Sequence, residues 1–320
     1  LECGANTGME WGNVAVPSVQ YSHGMLACSE FTGVKLSTLL DDVGFDASIN
    51  PYRGCEHGCG YCYARPSHEY LGFSAGLDFE TKIMVKEDAP ELLRKELSNR
   101  NWRPQLLGMS GVTDCYQPIE RRHGSTRGVL EVLARFANPV SITTKSALVQ
   151  RDIDLLAPMA ARGLAHVTLS ITTLDRSLAR RLEPRAATPE RRLETIRALA
   201  EAGIPTSVNV APIIPGLTDP EIEAILKAAR EAGASGAAYT LLRLPLEVAT
   251  LFQEWLATHA PDRAKRVLSL IRQIRGGTLY KSEFGTRMRG EGPLAELISK
   301  RFHGACRRLG LDKPGYALDC

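Results

Sequence analysis

The stretch SINPYRGCEHGCGYCYARP, residues 48–66, contains three cysteines in a C-x3-C-x2-C arrangement: Cys55, Cys59 and Cys62. Glycines lie between and beside them, so the backbone can fold around a bulky inorganic group. Three thiolates this close together can ligate three irons of a [4Fe-4S] cluster and leave the fourth iron open to a small molecule. The motif therefore indicates an iron–sulfur centre that performs chemistry and does not only store an electron.

A zinc site is the alternative interpretation, because Cys and His at short spacing also form tetrahedral zinc knuckles, with His57 as a fourth ligand. His57 lies inside the chelate loop, however, and the sequence has no second C-x2-C or H-x3-H pair. We therefore favour the cluster. Tyr61, directly before the third cysteine, is a candidate to place its ring over the ligand of the open iron. An ordinary packing role is the alternative for this tyrosine.

The cysteine loop resembles the signature of the radical S-adenosylmethionine (SAM) superfamily, and further motifs extend the resemblance. In chain order they are DCYQPIERR (114–122), ITTKSAL (142–148), LSITTLD (169–175), LEPRAATPERRLE (182–194) and VAPIIPGLTD (210–219). Together they resemble the family related to spore photoproduct lyase, also called DNA repair photolyase-like, over about residues 47–311. Several motifs in one order are more specific than a single cysteine triad.

Short apolar runs in the middle of the chain predict buried parallel strands, separated by amphipathic helices. Strands are predicted at 105–109, 140–143, 166–171, 206–210 and 237–242, after a first strand near 47–52. One helix is predicted from Thr188 and Pro189 to a stop at Gly203, and the next from Asp219 to Gly233. The class is α/β, and the resemblance implies a partial (β/α)6 radical SAM barrel with a helical C-terminal extension.

The same reasoning divides the chain into four segments: residues 1–46, a radical SAM core at 47–245, a helical extension at 246–311 and a tail at 312–320. The last helix of the extension is predicted at 294–309. Cys306 is expected to pack inside that helix, and Cys320 has no assigned role.

Two candidate cofactor-binding residues stand at the ends of neighbouring predicted strands, where a barrel places its chemistry. Lys145 closes VSITTK and Ser170 lies near the end of HVTLSIT. A lysine pairs with a carboxylate, and a serine donates to ribose or carboxylate oxygens. The resemblance implies that both contact SAM. For Lys145, a solvated strand end is the alternative.

The stretch GVTDCYQPIE, residues 111–120, carries Thr113 and Asp114, for which the resemblance also implies contacts with SAM. Spore photoproduct lyase has a cysteine at the position of Gly111, thought to return a hydrogen atom to the product radical. This chain departs from the family there. Cys115 is not an automatic substitute, since consecutive strand residues face opposite ways, and we expect a buried structural thiol.

Two further positions are candidates for cofactor contacts. Arg185 can fork onto the SAM carboxylate or a nucleotide phosphate, although a surface arginine is an equal alternative. Ile213, beside a proline turn, can cover an adenine ring, unless that turn only closes a barrel edge. Glu120, Arg121 and Arg122 can bind substrate, but a capped, solvated helix start explains them equally well. The basic runs 191–192, 272–275 and 287–289 can follow a phosphate backbone, although helix-spaced arginines more often form a solvated face.

Composition agrees with an enzyme outside the membrane. The chain has 320 residues, of which 44% are hydrophobic and 23% charged, and no apolar run approaches the roughly 18 residues of a membrane span. Its eight cysteines are too few and too clustered for a disulfide scaffold, and a cluster needs reducing conditions, so we expect a cytoplasmic location. A net charge of +3 is too small to name a partner. An electron donor such as flavodoxin or ferredoxin is expected, and DNA or another nucleic acid is a candidate partner.

Residues 1–46 lack the strand–helix rhythm and resemble an internal piece of the molybdopterin domain of sulfite dehydrogenases, from the sulfite oxidase family. Cys3, in LECGAN, falls at the position of the molybdenum ligand. So short a piece lacks the buried surface that such a domain needs. We therefore interpret it as a fusion remnant that is not a functional domain.

The favoured function is a radical SAM enzyme. As the resemblance implies, the reduced cluster cleaves SAM to methionine and a 5′-deoxyadenosyl radical, which abstracts hydrogen from a substrate such as a nucleic-acid base in lyase-like DNA repair. The alternative is an iron–sulfur or zinc nucleic-acid-binding module without turnover. A distant third is molybdenum-dependent sulfite oxidation through Cys3.

Overall fold

The computed structural model describes residues 34–36 and 47–312. Its strands are β1 Val34–Leu36, β2 Ala47–Ile49, β3 Tyr52–Arg53, β4 Met84–Val85, β5 Leu107–Met109, β6 Val140–Thr144, β7 Ala165–Ser170, β8 Thr206–Ile213 and β9 Gly236–Leu241. Seven of them form one sheet in the order β1-β2-β5-β6-β7-β8-β9. From β2 to β9 every neighbouring pair is parallel, so six parallel strands follow one another in chain order. This is the predicted partial barrel.

Helices fill the crossovers between these strands. The described α-helices are α1 Asp78–Thr81, α2 Ala89–Leu97, α3 Glu120–His123, α4 Ser125–Arg135, α5 Ile153–Ala160, α6 Arg176–Leu182, α7 Pro189–Glu201, α8 Ile222–Glu231, α9 Val248–His259, α10 Pro261–Gln273 and α11 Gly292–Leu309. Helix α7 begins as predicted, with the Thr188 side chain accepting from the Arg191 amide and Pro189 at the first position. Gly203, at φ +74°, reverses the chain after it.

The sheet has two chemically different faces. In β6, Val140 and Ile142 are buried, whereas Ser141 and Thr143 on the opposite face are partly exposed. The apolar face packs against helix side chains such as Leu130 in one continuous core. The small polar residues therefore lie on the face that forms the barrel interior. A barrel presents ligand-binding groups there, at the carboxyl ends of its strands.

The helical extension covers two parts of the barrel. Helix α11 packs on the β9 side, where the rings of Phe302 and Tyr239 lie 4.6 Å apart. Helices α9 and α10 instead contribute Phe252, Trp255 and Val267 to a second apolar cluster, which includes Cys59 of the cysteine loop. The extension thus shields the loop from water on one side.

The predicted fold is confirmed, because all six predicted strands occur within a few residues of their expected positions. The strand ends differ from the predicted ones, because pairing with neighbouring strands sets them. Strand β8 continues to Ile213, whereas β2 already ends at Ile49. Strand β1 lies inside the segment 1–46 and pairs antiparallel with β2, so it adds an edge without adding a strand–helix unit. The domain boundaries stay predictions, and Cys3 and Cys320 lie outside the described residues.

None of the described helices combines the length and the apolar character that crossing a membrane requires.

Candidate active site

The cysteine loop follows β2 at the carboxyl end of the parallel sheet. Cys55 and Cys59 are buried and Cys62 is partly exposed, and all three thiols are free. The loop is held through its backbone: the Cys55 amide donates to the Phe79 carbonyl at 2.9 Å, and the Cys62 amide to the Cys59 carbonyl at 3.2 Å. The three sulfurs are therefore carried by one fixed turn of chain.

Two glycines allow this turn to pack closely. Gly54 has φ +80°, and a Cβ there would come within 2.9 Å of the Phe79 carbonyl oxygen. A Cβ on Gly60 would lie 3.1 Å from the Trp255 ring of α9. Arg65 is buried and donates from Nε and Nη2 to the Cys59 carbonyl, at 3.1 and 3.0 Å. The loop is thus preorganised by its neighbours.

The donor set fits a [4Fe-4S] cluster, because three free thiols lie on one loop and each can ligate a separate iron. Among the described residues, no group of three or more His, Cys, Asp or Glu side chains converges closely enough to hold one metal ion. Burial raises the pKa of Cys55 and raises that of Cys59 to about 12, so these two thiols would have to lose their protons to ligate iron.

Thr113 and Asp114 support the loop from the end of β5. Thr113 Oγ1 donates to the Gly54 carbonyl at 2.5 Å. Asp114 accepts from the Thr144 hydroxyl at 2.7 Å and from the Lys145 amide at 2.8 Å, with His57 Nδ1 3.4 Å away. Burial alone would raise the pKa of Asp114, but His57 and these donors lower it well below its usual range. Both residues are occupied by the protein's own groups, and contacts with SAM stay predictions.

Lys145 and Ser170 lie at the carboxyl ends of neighbouring strands, on the same rim as the cysteine loop. Burial alone would lower the pKa of Lys145, but the Cys59 sulfur and the Glu183 carboxylate raise it overall. Lys145 therefore carries its charge close to the cluster site. Ser170 is buried, and it lies opposite Asn209 of β8, whose Oδ1 is buried without a hydrogen-bond partner among the described residues. An unsatisfied acceptor beside these donors fits an incoming polar ligand.

A buried network of charged and polar side chains lies next to the cysteine loop. The Arg192 guanidinium pairs with the Glu183 carboxylate, and both side chains are almost completely buried. Glu183 also accepts from the Tyr61 hydroxyl and, at 2.7 Å, from the Thr172 hydroxyl. Tyr61 is thus tied to a carboxylate inside an apolar cluster. A position for its ring over the ligand of the open iron stays a prediction.

The Radical SAM superfamily profile matches residues 49–229, more than half of this chain. The chain belongs to the radical SAM superfamily. Membership implies SAM and a [4Fe-4S] cluster as cofactors, and the cysteine loop is the part of this radical SAM protein that suits the cluster.

Sequence relatives agree with this assignment. An uncharacterized protein of Mycobacterium tuberculosis is 38% identical over 231 residues, which cover 72% of this chain and 68% of that protein. An uncharacterized protein of Methanocaldococcus jannaschii is 34% identical over 173 residues, or 54% of this chain and 62% of that protein. The radical SAM Nalpha-GlyT isomerase of Pseudomonas phage M6 is 28% identical over 170 residues, 52% of this chain and 33% of that protein.

Solved structures share the fold. Spore photoproduct lyase complexed with dinucleoside spore photoproduct superposes with a TM-score of 0.63 at 16% identity, over 92% of this chain and 85% of that chain. A mutant of the same enzyme with bound AdoMet gives 0.62 at 17% identity, over 84% and 75%. At these identities the likeness shows the fold alone. The resemblance of residues 1–46 to sulfite dehydrogenases finds no support in the comparisons.

The structure places Arg185 and Ile213 in protein contacts of the radical SAM core. Arg185 is 46% exposed, and its side chain binds Glu80 and the Glu56 carbonyl, so it clamps the cysteine loop. Ile213 is fully buried in the main core. Contacts of either residue with a ligand stay predictions.

The hydrogen-return position also has a clear environment. Gly111 lies beside Asn50, and a Cβ there would find ordinary contacts at 3.6 Å or more. Cys115 is fully buried in the main core, as predicted for a structural thiol, and burial raises its pKa. Tyr63 contacts Gly111 directly: its hydroxyl donates to the Gly111 carbonyl at 2.7 Å, and the residue is 45% exposed.

Several residues of this region were missed or misread from the sequence. A solvated helix face was the favoured interpretation for Arg192 and Arg275, and it is wrong for both, because each is 1% exposed. Glu120 is fully buried as well, and it accepts from Tyr52, the Thr126 amide and Arg151. A charged side chain is stable in a protein interior only when hydrogen-bond or ion-pair partners of this kind surround it.

Proposed function

We propose that this chain binds a [4Fe-4S] cluster through Cys55, Cys59 and Cys62, cleaves SAM reductively and abstracts hydrogen from a nucleic-acid base. The observation that carries the proposal is the set of three free thiols on a shielded loop, at the carboxyl rim of a six-stranded parallel half-barrel. When bound, the cluster supplies the electron and the open iron that turn SAM into a source of the 5′-deoxyadenosyl radical.

The chain's own residues orient and shield the reactants. Lys145 holds a positive charge for the carboxylate of SAM, and Ser170 offers a hydroxyl on the neighbouring strand. Asp114 fixes the backbone of Lys145 through its amide. Trp255 of α9 packs on Gly60 and excludes water from one side of the loop.

A nucleic-acid base is the favoured substrate for two reasons. The barrel shares its fold with an enzyme whose solved complex contains a dinucleoside photoproduct. A phage relative is named an Nalpha-GlyT isomerase. Gly111 gives the chain no thiol at the family's hydrogen-return position, so a lyase-like repair cycle would need another donor. DNA or another nucleic acid is then the substrate partner, and flavodoxin or ferredoxin supplies the electron.

The test is anaerobic reconstitution with iron and sulfide, followed by incubation with SAM, dithionite and thymine-containing oligonucleotides. We expect 5′-deoxyadenosine to form. With a substrate deuterated at the reacting carbon, we expect transfer of deuterium into that product. Cluster-loaded protein that yields no 5′-deoxyadenosine would overturn the radical SAM assignment of activity. Cleavage of SAM without any transfer of deuterium from the oligonucleotides would overturn only the proposed substrate class.

Replacing Lys145 by Met should weaken SAM binding by about 1 to 3 kcal/mol, because the carboxylate of SAM then loses a charged donor. Equilibrium binding of SAM to the reconstituted protein measures the effect. Lys227→Met is the matched control, because Lys227 is exposed on α8 and forms an i,i+4 ion pair with the exposed Glu231. Equal affinity of SAM for Lys145→Met and the wild type would remove Lys145 from the cofactor site.

A further inference from the structure

Arg243 lies two residues beyond the end of β9, on the rim that carries the cysteine loop. Its Cζ is 4.5 Å from the centroid of the Tyr63 ring. Nη1 donates to the Met288 sulfur at 3.0 Å, and a thioether is a weak acceptor. The buried Nε has no hydrogen-bond partner among the described residues. The guanidinium therefore keeps donors that the described part of the chain does not satisfy.

Other positive charges surround the same place. Arg287 directly precedes Met288, whose sulfur accepts from Arg243. Burial lowers the pKa of Arg275 to about 10, and the charge of Arg243 adds to the lowering. These cations repel one another, so an anion bound among them would relieve the repulsion.

Arg275 fixes the position of Arg243. Its Nη2 donates to the Leu242 carbonyl at 2.7 Å, and its Nη1 donates to the Thr286 carbonyl at 3.0 Å. The Leu241 amide donates to the Met288 carbonyl at 2.9 Å. The segment 286–288 is thereby tied to the end of β9, and Met288 is held beside Arg243. The unsatisfied guanidinium is preorganised for a ligand.

The location suits a substrate contact. Tyr63 directly follows Cys62, and its hydroxyl binds the Gly111 carbonyl. The Arg243 guanidinium thus lies over the ring of the residue that follows the cysteine triad. A group bound by the arginine would therefore hold the rest of its molecule next to the site where a radical forms.

We propose that Arg243, with Arg287 nearby, binds a phosphate group of a nucleotide substrate and so places the base at the mouth of the barrel. A planar guanidinium matches two phosphate oxygens through parallel hydrogen bonds, which a neutral base does not require. The assignment of a nucleotide rests on the proposed function. The phosphate contact adds a specificity determinant to the proposed function, because the protein then recognises the substrate backbone by its charge.

The probe is a thymidine dinucleotide with one phosphodiester, compared with its uncharged methylphosphonate analogue, in calorimetric titrations of the reconstituted protein. We expect the wild type to bind the phosphodiester about tenfold more tightly, the scale of a charge-assisted hydrogen-bonded contact. This comparison needs no variant, so it holds even where a substitution disturbs folding. Arg243→Gln should abolish the preference by weakening only the binding of the phosphodiester.

Arg162→Gln is the matched control, since Arg162 is exposed and precedes β7 on the opposite rim of the sheet. It should keep the wild-type preference. Equal binding of the two probes by the wild type would overturn the proposal, and so would an undiminished preference in Arg243→Gln. Formation of 5′-deoxyadenosine by the wild type is measured separately. A failure of the radical chemistry is therefore distinguishable from a failure of phosphate recognition.

Discussion

Replacement of Cys55, Cys59 or Cys62 by Ala is expected to remove the [4Fe-4S] cluster and, with it, all SAM cleavage. Each iron that loses its thiolate must find another ligand, and the other described thiols, Cys115 and Cys306, are packed in the main core. Two thiolates do not hold a cubane that already has one open corner. Iron and sulfide content, visible absorption and 5′-deoxyadenosine yield of each reconstituted variant measure the loss.

Cys306→Ala is the control for this series. Cys306 is a buried free thiol in α11, packed in the main core, so its removal takes away a thiol without touching the loop. It should keep the wild-type iron and sulfide content. The cluster assignment is wrong if a variant of the triad retains full cleavage, or if the reconstituted wild type holds one zinc and no sulfide.

The fold was predictable because its signal is local. A parallel strand buried by helices must be apolar on the covered face, and runs such as those around Val140 and Val167 show this without reference to the rest of the chain. Strand ends were less predictable, because pairing with a neighbour sets them. Thus β8 extends to Ile213, where Ile213 pairs with Leu241 of β9.

The centre of the site was also predictable, since a chelating loop needs its ligands close together in sequence. The roles of the surrounding residues were not. Whether Asp114 contacts a cofactor or the Lys145 amide depends on how β5 and β6 meet. The place of Arg243 beside Tyr63 likewise depends on tertiary contacts between the end of β9 and the residue that follows Cys62.

One signal for a missed residue was present in the sequence. In α7, Arg192 precedes Ile196 by four residues and Leu199 by seven, so the three share one face of the helix. Ile196 and Leu199 are apolar and fully buried, so this face points inward. Its arginine therefore had to be buried, and a buried arginine requires hydrogen-bond acceptors such as the Glu183 carboxylate.

Replacing Arg192 by Met should lower the free energy of unfolding by about 3 to 5 kcal/mol, because the buried Glu183 carboxylate then loses the guanidinium that pairs with it. Anaerobic denaturant unfolding of the reconstituted protein measures the change. Arg191→Met is the matched control one residue earlier: Arg191 pairs with Glu194 on the exposed face, and its loss should cost at most about 1 kcal/mol. If the two variants are equally stable, the buried pair does not stabilise the fold.

The pH dependence of this variant follows from the same pair. Burial alone would raise the pKa of Glu183, but Arg192, Lys145 and the donated hydrogen bonds lower it overall. In the wild type, the stability that Glu183 contributes is present above its unfolded-state pKa and is lost only as the pH falls through the lowered folded value. Without Arg192, the largest of the contributions that lower this pKa is lost while burial remains, so we expect the folded carboxyl to take up a proton at higher pH. The stability difference between wild type and Arg192→Met should therefore narrow as the pH falls from about 8 to about 5. A difference that widens over that range would show that Glu183 remains charged without its partner.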